Sequence, residues 1–393
     1  MPHISKRLSQ ISESQTVALN SLMAKMRREG KDVVALGAGE PDFDTPDHIK
    51  QAAITSIKEG FTKYTPADGI MELREAVCAW LTKQYGADYS ANEIVVTCGA
   101  KHAVYEAILA VVDPGDEVIL PAPYWVSYPE QIKMAGAVAR VINSKQENGL
   151  KITAAELEAA INDKTRLLIL NSPSNPSGAV YEKKEVDALV SVIKKAGIYV
   201  LSDEIYDTII YDGREYTSLI RYKEIRDQLL LVNGVSKSFA MTGWRIGYLA
   251  AHKDIVTAVK KYQGHSTSNP TSISQKASLA GLQGNIDFLK TMNKAFTERR
   301  DYVHKRLNSI KGLTCMLPQG AFYAFPDLSF YFGKNGIKGS IDLCGYLLEK
   351  FNVAIVPGIA FGVDNNARLS FATSMQVLEK ALDRIESGLN SLL

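Results

Sequence analysis

IYVLSDEIY, residues 198–206, runs four apolar residues straight into a serine, two acids, an isoleucine and a tyrosine. A short apolar run bounded by polar residues is the pattern of a strand buried on both faces, as in parallel sheets covered by helices. Polar chemistry placed directly after such a strand sits at its carboxyl end, where open α/β sheets bind ligands. The pattern recurs outward in both directions. Strands are expected at Glu93–Thr97, Glu117–Leu120, Arg166–Leu170, Tyr199–Ser202, Leu229–Val232 and Gly247–Ala250. Amphipathic stretches lie between them, such as Lys101–Val112, which Asp113-Pro114-Gly115 brings to a stop. The expected fold class is α/β, with a mostly parallel, doubly wound sheet at its centre.

Beyond Asn285 the pattern changes. A long charged helix through TERRDYVHKRLNSI, residues 297–310, precedes isolated strands near Ala321–Phe325 and Val353–Val356, which reads as a smaller α/β domain. Ahead of Pro46, a helix over Thr16–Glu29 and a short strand over Val33–Leu36 are too little to bury a core alone, so they are expected to pack with the C-terminal part. The expected division is therefore 1–45 for an N-terminal arm and part of the small domain, 46–285 for the large ligand-binding domain, and 286–393 for the small C-terminal domain.

Composition narrows the function. The chain has 393 residues, 45 basic against 43 acidic, with 46% hydrophobic and 22% charged residues. Such a balance excludes a disordered chain or a small disulfide scaffold, and it provides no broad basic field for nucleic acid. A small-molecule ligand is the better expectation. Cys78, Cys98, Cys315 and Cys344 lack any C-x-x-C spacing and read as thiols in a reducing compartment. MPHISKRLSQISESQ has no apolar signal core, and no apolar run reaches 18 residues, so a cytoplasmic protein without a membrane span is expected.

The chemistry concentrates in four segments. GVSKSFAMTGWRIG, residues 234–247, follows an apolar strand and sets Lys237 among small, apolar and hydroxyl-bearing neighbours. Desolvation there would lower the lysine's ordinary value near 10.4 and free an amine able to attack a carbonyl. Arg245, eight residues on, offers a planar fork suited to phosphate. SDEIY, residues 202–206, supplies Asp203 and Tyr206. NSPSNPSG, residues 171–178, forms an irregular loop bearing Asn175, and TCGAKHAVYEAI, residues 97–108, carries a strand through Gly99-Ala100-Lys101 into a helix whose first N–H groups can receive phosphate oxygens.

The 234–247 segment resembles, at every position, the attachment-site signature of class I pyridoxal-phosphate aminotransferases, and the other segments follow in that family's order from Thr16 to Ser374. The resemblance implies a fold-type-I enzyme in which Lys237 carries pyridoxal 5'-phosphate covalently. It implies that Ser236, Arg245 and the turn Gly99, Ala100 and Lys101 hold the phosphate, Asp203 pairs with the ring nitrogen, and Tyr206 and Asn175 reach the phenolic oxygen. It further implies that Trp125 of PAPYWVSYP stacks on the ring and that Gly39 of LGAGEPDFDTP lies against substrate. Tyr64 of KYTPADGIMELR would reach the neighbouring subunit's phosphate, which makes a homodimer the expected state. Arg368 of NARLSFATS would clamp the α-carboxylate, with Asn175 and Trp125 beside the substrate, and Lys101 would take the distal carboxylate with help from Thr16. The implied partners are small amino acids and 2-oxo acids, with no nucleic acid, membrane or metal. The implied reaction is reversible amino transfer between aspartate and 2-oxoglutarate, as in the bacterial-type aspartate branch. Glutamate/aspartate–prephenate or aromatic amino transfer is the alternative. ISESQTV, residues 11–17, has Ser12 and Glu13 where prephenate-accepting relatives carry a lysine, which favours the first. A regulator that borrowed this fold for binding alone is the rival from another class, and Lys237 argues against it.

Overall fold

Seven strands form the central sheet of the computed structural model, which describes residues 4–12 and 15–393. In chain order they are β1 (Ile94–Thr97), β2 (Glu117–Ala122), β3 (Val138–Asn143), β4 (Thr165–Asn171), β5 (Tyr199–Asp203), β6 (Leu229–Gly234) and β7 (Gly247–Ala250). Across the sheet the order is β1-β7-β6-β5-β4-β2-β3. The pairings from β6 through β5, β4 and β2 to β3 are parallel, whereas β7 runs antiparallel to both β1 and β6.

The apolar runs are continuous because both faces of the sheet are covered. Leu168, Leu170, Val200, Leu229 and Leu231 join one core cluster, and their chain neighbours Leu167, Ile169, Leu201, Leu230 and Val232 join another. Alternate residues thus point to opposite faces, and each finds helices there. Each fully buried aliphatic side chain of this kind contributes roughly 1.5–3 kcal/mol. Five strands expected from sequence are one or two residues longer or shorter than expected, and Gly247–Ala250 agrees at both ends. The unexpected member is β3, an edge strand with Val138 and Val141 substantially exposed. A half-wet edge has no continuous apolar run to announce it.

The chain ends build a second group of elements. Val34–Ala35 pairs in parallel with Val353–Ala354, and Ala367–Ser370 lies between Val356–Pro357 and Tyr323–Ala324 in a small antiparallel sheet. The N-terminal helix Gln15–Arg28 buries Met23 and Met26 against Val33, Leu348 and Ala354. The helices Phe288–Ser309, Ser340–Phe351 and Met375–Asn390 close over this sheet, with Phe296, Leu343 and Leu382 in one cluster.

Topology sets where the chemistry gathers. β1, β2, β4, β5 and β6 all deliver their following loops to one edge of the sheet. β7 runs the other way, so the residues just before it also stand at that edge. Asp203 ends β5, Asn171 ends β4, Lys237 follows β6, Gly99 follows β1, and Arg245 precedes β7. Gly247 sits where the backbones of β7 and the helix starting at Ala100 touch, since a Cβ there would collide with the Ala100 nitrogen.

Candidate active site

The cavity at that edge has a volume of about 250 Å³. Gly39, Ala100, Lys101, Trp125, Asn175, Asp203, Tyr206, Ser236, Lys237, Arg245 and Arg368 all line it. Gly99 stands immediately behind, at φ +84°, and a Cβ on it would run into the Arg245 guanidinium. Glycine there serves both the backbone conformation and the close approach of that cation. Tyr64 does not line the cavity; it is 90% exposed. Thr16 belongs to the N-terminal helix, but its side chain lies outside the described residues.

Lys237 faces the cavity with its Nζ donating to the Gly39 carbonyl and lying 5.9 Å from the Tyr206 ring centre. Desolvation brings its pKa down to about 8, with Arg368 and Arg245 pushing the same way and Glu40 and Asp203 opposing. Its neutral amine is therefore present in quantity at ordinary pH, unlike that of a solvated lysine.

Asp203 is buried at the end of β5, and burial raises its carboxyl to about 6 against the pull of the Tyr128 hydroxyl, the Ile205 N–H and Lys237. The Tyr128 hydroxyl donates to Asp203 Oδ2 at 2.7 Å and the Ile205 N–H to Oδ1 at 3.3 Å. A carboxylate in this position needs a further positive partner, and a protonated ring nitrogen is one.

Arg368 is almost fully buried on the strand Ala367–Ser370. It donates from Nη1 to Asn175 Oδ1 at 2.9 Å and from Nη2 to the Gly37 carbonyl at 2.7 Å, and its Nε has no hydrogen-bond partner among the described residues. Its cation also rests over the Tyr323 ring at 4.6 Å. Burial lowers its pKa, the mark of a cation short of an anion. Asn175 is itself fixed by its N–H, which donates to Asn171 Oδ1 at 2.8 Å. Also lining the cavity, Lys101 Nζ stands 5.1 Å from the Trp125 ring centre, and its pKa is lowered by burial and by Arg245.

Several lining residues were not anticipated from sequence. Tyr128, Asn171 and Tyr323 carry the hydrogen bonds that orient Asp203, Asn175 and Tyr206; the last pair meets hydroxyl to hydroxyl at 2.8 Å. Tyr128 and Asn171 lie inside motifs already singled out, so a signal was present. Tyr323 comes from an isolated strand with no motif around it.

These groups fit pyridoxal 5'-phosphate. The first turn of the twelve-residue helix Ala100–Val111, the Ser236 hydroxyl and the exposed Arg245 fork suit a phosphate. Asp203 suits a cationic ring nitrogen, the face of Trp125 is held edge-on by Tyr128 at 5.2 Å, and the Lys237 amine suits an aldehyde.

The chain is similar to known proteins over nearly its whole length. The chain is 44% identical over 383 residues to an aspartate aminotransferase of Geobacillus stearothermophilus, covering 97% of this chain and 98% of that one. It is 43% identical to an aspartate/prephenate aminotransferase of Cereibacter sphaeroides, covering 98% of each. Its fold superposes on the crystal structure of the Rhizobium meliloti aspartate aminotransferase with a TM-score of 0.96 at 43% identity, covering 100% of both chains. The Thermus thermophilus aspartate aminotransferase with maleate gives 0.94 at 39% identity, covering 99% of this chain and 100% of that one. The model of the class I and II aminotransferases matches residues 31–385, and the chain belongs to that family, whose cofactor is pyridoxal 5'-phosphate.

Proposed function

We propose that the chain catalyses reversible amino transfer between aspartate and 2-oxoglutarate, giving oxaloacetate and glutamate. The observation that carries this reading is a pair of cations on one cavity: Arg368, buried with an unpartnered Nε, and Lys101 beside Trp125. A substrate with an α-carboxylate and a second carboxylate satisfies both. The names of the Geobacillus and Rhizobium relatives support it, as does the Thermus relative's complex with maleate, a four-carbon dicarboxylate.

The residues divide the work as follows. Arg368 clamps the α-carboxylate, and its bonds to Asn175 and the Gly37 carbonyl hold the fork ready before substrate arrives. Lys101 takes the distal carboxylate and sets which way the substrate lies. When bound, pyridoxal 5'-phosphate supplies an electron sink for the bond broken at the substrate's Cα. Lys237 Nζ, near half neutral at about pH 8, takes the Cα proton and holds it for return. Such acid–base work contributes ~10²–10⁴ in rate. Asp203, kept ionised by Tyr128 and the Ile205 N–H, holds positive charge at the floor of the site. Tyr206 and Tyr323 brace one another through their hydroxyls beside Arg368.

The proposal extends to assembly and location. Tyr64, exposed on this chain, serves the phosphate site of a second copy in a homodimer. The four cysteines are unpaired thiols, in keeping with a cytoplasmic protein. Residues 1–45 and 286–393 act as one small domain against 46–285, a division supported by the pairing of Val34 with Val353.

Aspartate/prephenate amino transfer is the second reading, favoured by the name of the Cereibacter relative. The test pairs aspartate with 2-oxoglutarate beside prephenate with glutamate. Turnover of the first pair supports the assignment. Failure of both acidic pairs, with turnover of phenylalanine or alanine, overturns it.

A further inference from the structure

The strip from Tyr206 to Tyr211, directly after SDEI, bonds in two directions. On one side it is stitched to the C-terminal elements. The Ala321 N–H donates to the Ile209 carbonyl at 3.0 Å, Ile210 bridges Gly320, and the Tyr211 N–H donates to the Gln319 carbonyl at 3.1 Å. Asn293 Nδ2 of the long helix Phe288–Ser309 donates to the Thr208 carbonyl at 2.7 Å. On the other side the strip grips the segment that carries Lys237. Asn233 Nδ2 donates to Asp207 Oδ2 at 2.7 Å, four residues before the lysine, and the Thr208 hydroxyl donates to Ser238 Oγ at 2.7 Å, one residue after it.

Thr208 stands in both sets. Its carbonyl is held by the long helix and its hydroxyl holds the residue next to Lys237. Neither Thr208, Ser238 nor Asn293 lines the cavity, so none is positioned to touch substrate or cofactor. Ser238 is buried, and a hydroxyl there that loses its donor does not regain water easily. We infer that Thr208 is a positioning residue that ties the setting of the Lys237 amine to the long C-terminal helix, so that a displacement of that helix is felt at the lysine.

The physical consequence concerns solvation. The Lys237 amine owes its perturbed state first to desolvation, and that depends on the loop being held tightly against the cavity. Loosening the loop on the Ser238 side lets water closer and stabilises the protonated form. A variant that cuts the bond therefore moves the midpoint of proton loss at the lysine–cofactor linkage, whose nitrogen is held by the same loop. This inference rests on Lys237 holding the cofactor, as proposed above.

The experiment titrates the visible absorbance of the cofactor-loaded protein with pH, in the wild type and in Thr208→Val, Thr208→Ser and Asn293→Ala. Thr208→Val keeps the shape and removes the donor; its midpoint is expected to shift by roughly half a pH unit or more, the scale of one lost hydrogen bond. Thr208→Ser keeps the donor and is expected to stay with the wild type. Asn293→Ala, cut at the far end, is expected to move in the same direction as Thr208→Val by a smaller step. Ser238→Ala removes the same bond from its acceptor and serves if Thr208→Val does not fold. An unmoved midpoint in Thr208→Val or Ser238→Ala overturns the inference. A shift in Thr208→Ser as large as in Thr208→Val also overturns it, because packing rather than the hydroxyl would then be responsible. Wild-type protein without a cofactor band would instead refute the assignment of Lys237 itself.

Discussion

Glu106→Gln is expected to stabilise the protein, by an amount that grows as pH rises from about 4.5 to about 8. Glu106 sits on the helix Ala100–Val111 with 1% of its surface exposed, and neither carboxylate oxygen has a hydrogen-bond partner among the described residues. His102 Nε2, one turn earlier, lies 3.4 Å away, but burial lowers the histidine's own pKa, so it is not a reliable counter-ion in alkaline solution. Desolvation raises the Glu106 carboxyl to about 8. Because the folded value lies above the unfolded one, the native protein keeps a proton that the unfolded chain has released. Stability therefore falls as pH climbs from the unfolded value, near 4.5, to about 8. Fully ionised, the group costs the native state about 5 kcal/mol, and at pH 5 only about 1 kcal/mol. Glutamine occupies the same volume without that charge. With an unfolding entropy of ~2.1 cal/mol/K per residue, the Tm of Glu106→Gln should exceed that of the wild type by about 6 °C at pH 9 and by about 1 °C at pH 5. Thermal unfolding of the two proteins at both pH values, with the cofactor load held equal, measures the difference. Parallel curves across that range would refute the reasoning, since they require a partner for the ionised carboxylate that is not found among the described residues.

Tyr128→Phe removes the donor at 2.7 Å from Asp203, a hydrogen bond that holds the carboxyl down, so the acidic limb of kcat/KM should move up by roughly one to two pH units. Unchanged acidic limbs would show that Asp203 is ionised by the bound cofactor alone. Lys237→Ala should abolish the visible absorbance of the bound cofactor and reduce kcat by ~10²–10⁴ or more. Retention of both would remove the lysine from the mechanism. Arg368→Lys keeps the charge but loses the fork that meets Asn175 and the Gly37 carbonyl, so KM should rise for aspartate and alanine alike. Lys101→Ala should instead penalise aspartate and leave alanine nearly unaffected, and equal losses for both would refute its role at the distal carboxylate.

The two arginines show how legibility divides. Arg245 was readable because it stands eight residues after Lys237 in one motif, next to the clean apolar run of β7; its bond to the Thr242 carbonyl at 2.9 Å stays within that segment, whereas its bond to the Cys98 carbonyl at 3.4 Å, 147 positions away, was not legible. Arg368 was found through a motif, but its surroundings were not. Its strand partners are Tyr323–Ala324 and Val356–Pro357, its bonds go to Asn175 and Gly37, and its cation lies over Tyr323 and Phe361. No periodicity in the sequence encodes contacts separated by 193 and 331 positions.

The same division runs through the sheet. β4, β5 and β6 announced themselves because burial on both faces forces an unbroken apolar run, whereas β3, half wet at the edge, reads VARVIN and carries no such constraint. Residues that meet the cofactor must be of particular types, so they stand out as motifs. Residues that hold those residues need only supply one hydroxyl or amide at the right distance, and Tyr323 and Thr208 do so from segments whose composition is unremarkable for a packed core, while Tyr128 does so from inside the motif that carries Trp125. Sequence therefore exposes the groups that do chemistry more readily than the groups that set their protonation. In this chain the second kind governs whether Asp203 is charged and how the segment bearing Lys237 is held, which is why variants one contact removed from the cavity are the sharper probes of how it works.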